Sequence, residues 1–351
     1  MKQELRFCRS FDGTRIAYST TGEGLPLVKA PHWLTHLEYE WQSPIWRRWI
    51  ASLAQGRMLV RMDERGCGLS DRDVREFSLA HYVNDLEAVI DAVGLERFAL
   101  FGHSQGGAIA LAYAARHPGR VSHLALLGTY ARGRFKRLPE RRGESEAQLK
   151  LVEVGWGGDD PSYRQFFASQ FMPGANLEQL RLMSELQRVS SSPADALRIL
   201  RSFYEIDVSE SLPRISCPTL VLHARGDLRV GFEEGRSIAA AIPGARFVPL
   251  ESDNHILLEH EPAFARFFAE LDAFLPGKRA SFPVLTARES EILEHIARGL
   301  DNAQIAARLE LSEKTVRNHI THIFDKIGVE SRAQAIVLAR DRGLGRESRS
   351  S

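Results

Sequence analysis

The sequence predicts an α/β domain built on a mostly parallel sheet with a helical insertion, followed by a small all-α domain. Three observations carry this. Apolar strand-like runs alternate with amphipathic helical stretches before about Tyr130 and again after about Pro213, the pattern of a sheet covered on both faces. Between those points the strand signals vanish, which marks a helical insertion. Beyond Val284 every patterned segment reads as helix.

The first strands form a hairpin: "ELRFCRS", an Asp12-Gly13 turn, then "TRIAYSTTG" with alternating apolar positions. "LPLVKAP" and "RMLVRMD" are short buried strands. Between them "SPIWRRWIASLAQ" spaces Ile45, Trp49, Ile50 and Leu53 as a helix does. "SLAHYVNDLEAVIDAVGL" is an amphipathic helix, followed by the strand "RFALFG", the helix "GAIALAYAARHP" and the strand "VSHLALLG". The insertion, about 130–213, holds a basic run from Arg132 to Arg142. Its helical segments carry Trp156, Tyr163, Phe166, Phe167, Phe171, Phe203 and Tyr204. Its position predicts a lid, most of whose aromatics form the lid's own core. "PTLVLHARGD" and "ARFVPLE" resume the sheet, and "PAFARFFAELDAFL" closes it, so the first domain is expected over 1–276. "PGKRASFP" reads as a linker, 277–283, and "GRESRSS" as a disordered tail, 346–351.

The bulk numbers exclude several classes. A chain of 351 residues, 44% hydrophobic and 26% charged, can bury a sizeable core. A net charge of +1 gives no global basic excess, so any nucleic-acid contact must come from a local surface. Cys8, Cys67 and Cys217 are too few and too scattered for a disulfide framework or a zinc site, and they suit a reducing cytoplasm. Cys67, in a Gly-rich turn, reads as a structural thiol or as a neighbour of the active cleft. No apolar h-region opens the chain and no run approaches the roughly 18 apolar residues of a membrane span. A cytoplasmic protein is expected, with no metal, no cofactor and no membrane partner.

Gly102-His103-Ser104-Gln105-Gly106 fits the Gly-x-Ser-x-Gly turn that lifts a nucleophilic serine out of a strand-to-helix bend. The glycines are needed because side chains there would collide with the neighbouring backbone. A serine hydroxyl reacts only when a base takes its proton, and that base needs an orienting carboxylate. Asp227 follows the strand "TLVLH"; His255 follows the next strand and precedes the last helix. His260 already enters that helix, and His32, His36 and His103 precede the nucleophile. The plainer reading makes His255 a loop histidine and Asp227 a helix cap.

On these residues, 1 to about 276 resemble the α/β-hydrolase family, with Ser104, Asp227 and His255 matching its nucleophile, acid and base. "DERGCGLSD" resembles the family's Asp-x-Arg-Gly-x-Gly-x-Ser-Asp loop. The resemblance implies an oxyanion hole made by the backbone N–H groups of Gln105 and Trp33. Pro31-His32-Trp33 departs from the family's His-Gly, which changes backbone freedom but keeps the amide. Asn254 stands where glycine is usual, and Ala224 and Gly231 replace the frequent Gly and Pro around the acid.

In the last domain, expected over 284–345, Thr286 and Glu289 make a capping box and Gly299 ends the helix they start. Asn302 or Asp301 caps "AQIAARLE"; Ser312 caps "EKTVRNHITHIFDKIG", with Val316, Ile320, Ile323 and Ile327 on one face; Ser331 caps "RAQAIVLARDRG". Helix, short turn and longer helix make the helix-turn-helix pattern. "LTARESEIL", "IARGLDNAQIAARL" and "LSEKTVRNHITHIFDKIGV" resemble the LuxR/NarL-type DNA-binding domain. That resemblance implies that Arg317, Asn318 and Thr321 face base edges of double-stranded DNA, while Lys314, Thr315 and Lys326 mainly touch phosphates. A helical protein–protein module is the plainer alternative.

The combination predicts a LuxR-family transcriptional regulator whose hydrolase-fold domain senses, and in one version hydrolyses, a small-molecule ligand or ester-like substrate. A homodimer on two half-sites is expected, because one such unit binds DNA weakly. The competing expectation is a serine hydrolase, an esterase or acyl hydrolase, with an accessory DNA-binding tail.

Overall fold

The computed structural model describes residues 1–72, 74–275, 285–341 and 344–345. The expected linker and tail lie outside the described residues. The chain forms two compact units, Met1–Phe274 and Leu275–Ser351.

The first unit is built on an eight-stranded sheet. Its strands are β1 (Gln3–Arg9), β2 (Arg15–Thr21), β3 (Leu25–Lys29), β4 (Arg57–Met62), β5 (Phe98–His103), β6 (Val121–Leu127), β7 (Thr219–Ala224) and β8 (Arg246–Leu250). They lie in the order β1-β2-β4-β3-β5-β6-β7-β8. Within this sheet the predicted hairpin supplies the antiparallel part, β1 on β2 and β2 on β4, and the other described neighbours are parallel. β5 and β7 are buried along their whole lengths, so their sequences run apolar without alternation.

The helices α1 (Leu37–Gln42) and α2 (Pro44–Ala54) join β3 to β4; α3 (Leu79–Val93) and α4 (Gln105–Arg116) follow β4 and β5. Right-handed crossovers that step to opposite sides of β3 put α2 and α3 on opposite faces of the sheet. Trp49 anchors the α2 face: its ring meets Phe264, Phe267 and Phe268, and its Nε1 donates to Leu257 O at 3.1 Å.

Between β6 and β7 stand α5 (Arg134–Arg137), α6 (Arg142–Gly155), α7 (Ser162–Ser169), α8 (Leu177–Ser190) and α9 (Pro193–Glu205). This is the expected helical insertion, tied at its neck by a single bridge between Arg132 and Asp207. Trp156, Phe167, Phe171, Phe203 and Tyr204 are buried, whereas Tyr163 and Phe166 face solvent. After β7, α10 (Phe232–Ala241) and α11 (Pro262–Phe274) complete the unit. The sequence reading passed over α1 and α10.

The second unit holds α12 (Ala287–Ala297), α13 (Asn302–Leu309), α14 (Glu313–Ile327) and α15 (Arg332–Asp341) around Ile292, Leu293, Ile296, Ile305, Val316 and Ile323. Capping boxes start α12 at Thr286 and α13 at Asp301, which leaves Asn302 as the first helical residue. Ser312 accepts from Thr315 N to cap α14.

Candidate active site and recognition helix

Ser104 sits between β5 and α4 with φ 54° and ψ −128°, a backbone that a side-chain-bearing residue adopts only when its surroundings force it. Three hydrogen bonds do so: Ser104 N donates to Leu127 O at 3.0 Å, and Ser104 O accepts from Thr129 Oγ1 at 2.6 Å and from Gly107 N at 3.0 Å. A Cβ on Gly102 would come within 2.5 Å of Gly107 Cα, and one on Gly106 within 2.6 Å of Pro31 O. The bend therefore closes only with glycine at both places.

Asp227 follows β7 in a turn whose amides it holds. Its Oδ1 accepts from Arg229 N at 2.8 Å and Val230 N at 2.9 Å; its Oδ2 lies 2.7 Å from His255 Nδ1. It caps no helix, since Gly231 stands at the start of α10. Burial alone would raise the Asp227 carboxyl, but the charge and hydrogen bond of His255 outweigh it and hold the group below its usual range. His255 Nε2 is buried with no hydrogen-bond partner among the described residues, and Ser104 and His255 line the same small cleft. The acid–base half of the constellation is closed in this structure, and the base–serine half is open, a common state before a substrate is bound.

Gly128, at the end of β6, was not singled out by sequence reasoning. A Cβ there would press to 3.2 Å from the His255 ring, so the missing side chain makes room for the Asp227–His255 pair. His103, set aside as a base because it precedes the nucleophile, supports the base instead. It stacks on His255 with centroids 5.2 Å apart, its Nε2 meets His255 O at 3.1 Å, and burial keeps its pKa well below the usual value. A neutral ring is what can lie flat against a base that must take up a proton.

The Pro31-His32-Trp33 segment rests on a buried charged cluster. Lys29 Nζ bonds His32 Nδ1 at 2.7 Å, and Arg61 Nη1 pairs with Glu40 at 2.6 Å. Burial brings the Lys29 ammonium down to about 8 and holds His32 well below its usual value, so His32 is neutral and accepts from Lys29. Trp33 packs on Trp156 and Phe167 of the lid and lines a cleft with Ser104 and Gln105. Gln105 Nε2 in turn donates to Glu64 at 3.2 Å. Burial, with Asp85 adding to it, pushes the Glu64 carboxyl well up. In "DERGCGLSD" Arg65 makes a two-pronged pair with Asp85 at 2.6 Å, and Cys67 is wholly buried, a structural thiol.

In the second unit α14 buries Val316, Ile320 and Ile323 and turns Lys314, Arg317, Asn318 and Thr321 outward, with Thr315 half-buried. Lys326 stands apart from this set. Its Nζ lies 2.8 Å from both oxygens of Glu289, so in the free protein it ties α14 to the first turn of α12. Glu289 is held down to about 2, chiefly by the Lys326 hydrogen bond and then by Thr286 N. A carboxyl depressed in the fold contributes stability above its unfolded pKa, near about 4.3, and loses it as pH falls toward about 2. In Lys326→Met, acid-induced opening of α12 and α14 should begin at higher pH, measured by amide hydrogen exchange of the full chain. An unchanged acid profile would remove the pair from the account.

Residues 36–262 match the family model described as the alpha/beta hydrolase fold. The chain belongs to the α/β-hydrolase fold family. Residues 283–339 match the model of bacterial regulatory proteins of the luxR family, so this α/β-hydrolase domain is fused to a LuxR-family helix-turn-helix domain. Similar proteins include the AB hydrolase superfamily protein YisY of Bacillus subtilis, 29% identical over 67% of this chain and 86% of the relative. The putative carbamate hydrolase RutD of Klebsiella pneumoniae is 28% identical over 60% of this chain and 79% of its own length. A hydrolase from Pseudomonas aeruginosa superposes with TM-score 0.63 at 24% identity, covering 77% of this chain and 98% of that structure. An esterase from Exiguobacterium antarcticum gives 0.64 at 24% identity, covering 77% and 99%. These likenesses carry the fold. Among the described residues no three His, Cys, Asp or Glu side chains gather as a metal site, and no helix is long and apolar enough to cross a membrane.

Proposed function

We propose that this chain is a cytoplasmic, homodimeric DNA-binding regulator whose α/β-hydrolase domain binds and hydrolyses a small ester-like ligand, with occupancy altering its grip on DNA. The observation that carries the reading is one chain holding both a strained Ser104 beside the Asp227–His255 pair and a LuxR-family unit with Arg317, Asn318 and Thr321 outward. Ser104 Oγ attacks the ester carbonyl carbon while His255 Nε2 takes the hydroxyl proton. The backbone N–H groups of Trp33 and Gln105 stabilise the oxyanion. The proton then passes to the leaving alcohol, and water repeats the sequence to free the acid and restore Ser104.

Ligand control requires different affinities in two states, and the lid is the element that differs between them. Arg317 and Asn318 suit guanine and adenine edges; Lys314 and Thr315 suit phosphates, and Lys326 joins them only by leaving Glu289. Fluorophosphonate labelling should modify the wild-type chain and spare Ser104→Ala. Arg317→Ala should weaken specific operator binding by about 1–3 kcal/mol. If neither ligand nor acylation changes operator affinity or oligomeric state, ligand control is refuted.

The second reading is an esterase or acyl hydrolase with an accessory DNA-binding tail. The Asp227–His255 bond favours it, because a sensor that only bound would not need an oriented base. Rapid turnover with operator affinity indifferent to ligand is its signature.

A further inference from the structure

On the lid side of Ser104 lies a second chamber, about 380 Å³ of empty space with its solvent-facing part included. Three arginines line it: Arg134 and Arg137 from α5, and Arg229, two residues beyond Asp227. The remainder of the wall is largely apolar or aromatic, with Phe171, Leu200 and Phe203. The arginine charges are poorly answered by the protein. Among the described residues Arg134 alone meets a carboxylate, the half-exposed Glu144 at 3.6 Å. Arg137 Nη1 is buried with no hydrogen-bond partner, and its Nη2 reaches only Arg229 O at 3.4 Å. Glu234 acts on Arg137 from beyond ion-pair distance. Arg229 Nη1 makes two contacts of 3.4 Å, both to side-chain carbonyls, of Gln148 and Gln170. Its guanidinium lies 5.0 Å from the centres of Phe167 and Phe171, so the aromatic faces hold it in place without neutralising it.

Taking a guanidinium out of water without a counter-charge is costly, and a buried donor with no acceptor adds to the cost. Burial depresses both Arg134 and Arg137 below the usual arginine value. Glu64, the acid beside Gln105, is held by that amide rather than by an arginine of the chamber, and burial pushes its carboxyl well up. Two planar forks with free donors, set in an apolar wall beside a nucleophile, match the geometry of a carboxylate.

We propose that this chamber recognises a small organic acid, its carboxylate held by Arg137 and Arg229 and its ester group presented to Ser104. The inference rests on the ligand-binding reading above and names the substrate class: an ester or lactone that carries a free carboxylate. The apolar wall takes the short carbon chain between the two groups. Neutral esters of the same size leave the two arginines unanswered and bind poorly.

The test uses the full-length Ser104→Ala chain, so that a bound ester survives. Isothermal titration should give monomethyl glutarate an affinity about tenfold or more above that of dimethyl glutarate. Arg137→Met and Arg229→Met should each reduce that preference, and Arg137→Lys should keep part of it. The ester comparison needs no arginine variant, so a misfolded Arg137→Met leaves it intact. Equal affinity for the two esters, no binding of either at millimolar concentration, an undiminished preference in both Met variants, or tighter binding of inorganic phosphate than of the monoester would each overturn the assignment. The two readings fail separately. A monoester that binds selectively yet leaves operator affinity unchanged sinks ligand control and keeps the chamber's specificity. A neutral ester that binds equally and shifts operator affinity does the reverse.

Discussion

Asp227→Asn should slow acylation of Ser104 by a fluorophosphonate by about 10³–10⁴ at neutral pH, with little change in thermal stability. The wild-type carboxylate meets the His255 Nδ1 side at 2.7 Å through Oδ2 and holds two backbone amides through Oδ1. An asparagine keeps a carbonyl oxygen for Arg229 N and Val230 N, so the turn survives. Its amide then faces His255 and donates to Nδ1, which drives the ring proton to Nε2. A protonated Nε2 cannot accept from the serine. The imidazolium that forms during acylation also loses its counter-charge in a buried site, where charge is expensive. Labelling at the wild-type rate would remove Asp227 and His255 from the reaction.

Gly106→Val should cost about 1–3 kcal/mol of stability in the first unit and lower acylation by about 10²–10³, an oxyanion-donor-sized loss of about 3–4 kcal/mol. A Cβ at this position falls 2.6 Å from Pro31 O and 3.1 Å from Ala30 O, both backbone atoms that cannot rotate away. The strand end must move, and it carries Trp33, whose amide is the proposed second oxyanion donor. Because the five tryptophans, Trp33, Trp41, Trp46, Trp49 and Trp156, all belong to the first unit, their fluorescence reports its unfolding alone. A Gly106→Val chain that is stable and acylates normally would show that the elbow and the Trp33 segment are not in register.

The sheet was legible in the sequence because its strands are short apolar runs separated by turn residues and long amphipathic helices. The elbow was legible because Gly102, Ser104 and Gly106 are adjacent in the chain. The helices α1 and α10 escaped notice for a local reason. Six-residue α1 offers fewer than two turns of pattern, and α10, "FEEGRSIAAA", carries few large apolar residues. The arginine chamber was illegible for a tertiary one. Arg134 and Arg137 come from the insertion and Arg229 from the loop after β7, and in the sequence the first two merge into the basic run from Arg132 to Arg142, far from Arg229. The Lys29–His32 and Arg61–Glu40 contacts likewise join residues whose burial only the folded sheet creates. Lys326 was assigned to phosphate by resemblance, and the ion pair with Glu289, 37 positions earlier, carries no sequence signal.

The loop that carries His255 is fastened to the lid as well as to the sheet. His255 N and Ile256 N both donate to Phe171 O, at 2.9 and 3.0 Å, and Asn254 Oδ1 accepts from Gly174 N at 2.9 Å. The Asn254 side chain thus makes a bond that a glycine at this position could not offer. The insertion and the base are consequently joined: moving the Phe171–Gly174 segment outward either breaks three hydrogen bonds or carries the imidazole with it. Under the proposed hydrolysis, a ligand whose entry opens the insertion would unseat the base, and one that holds the insertion shut would keep the base in line.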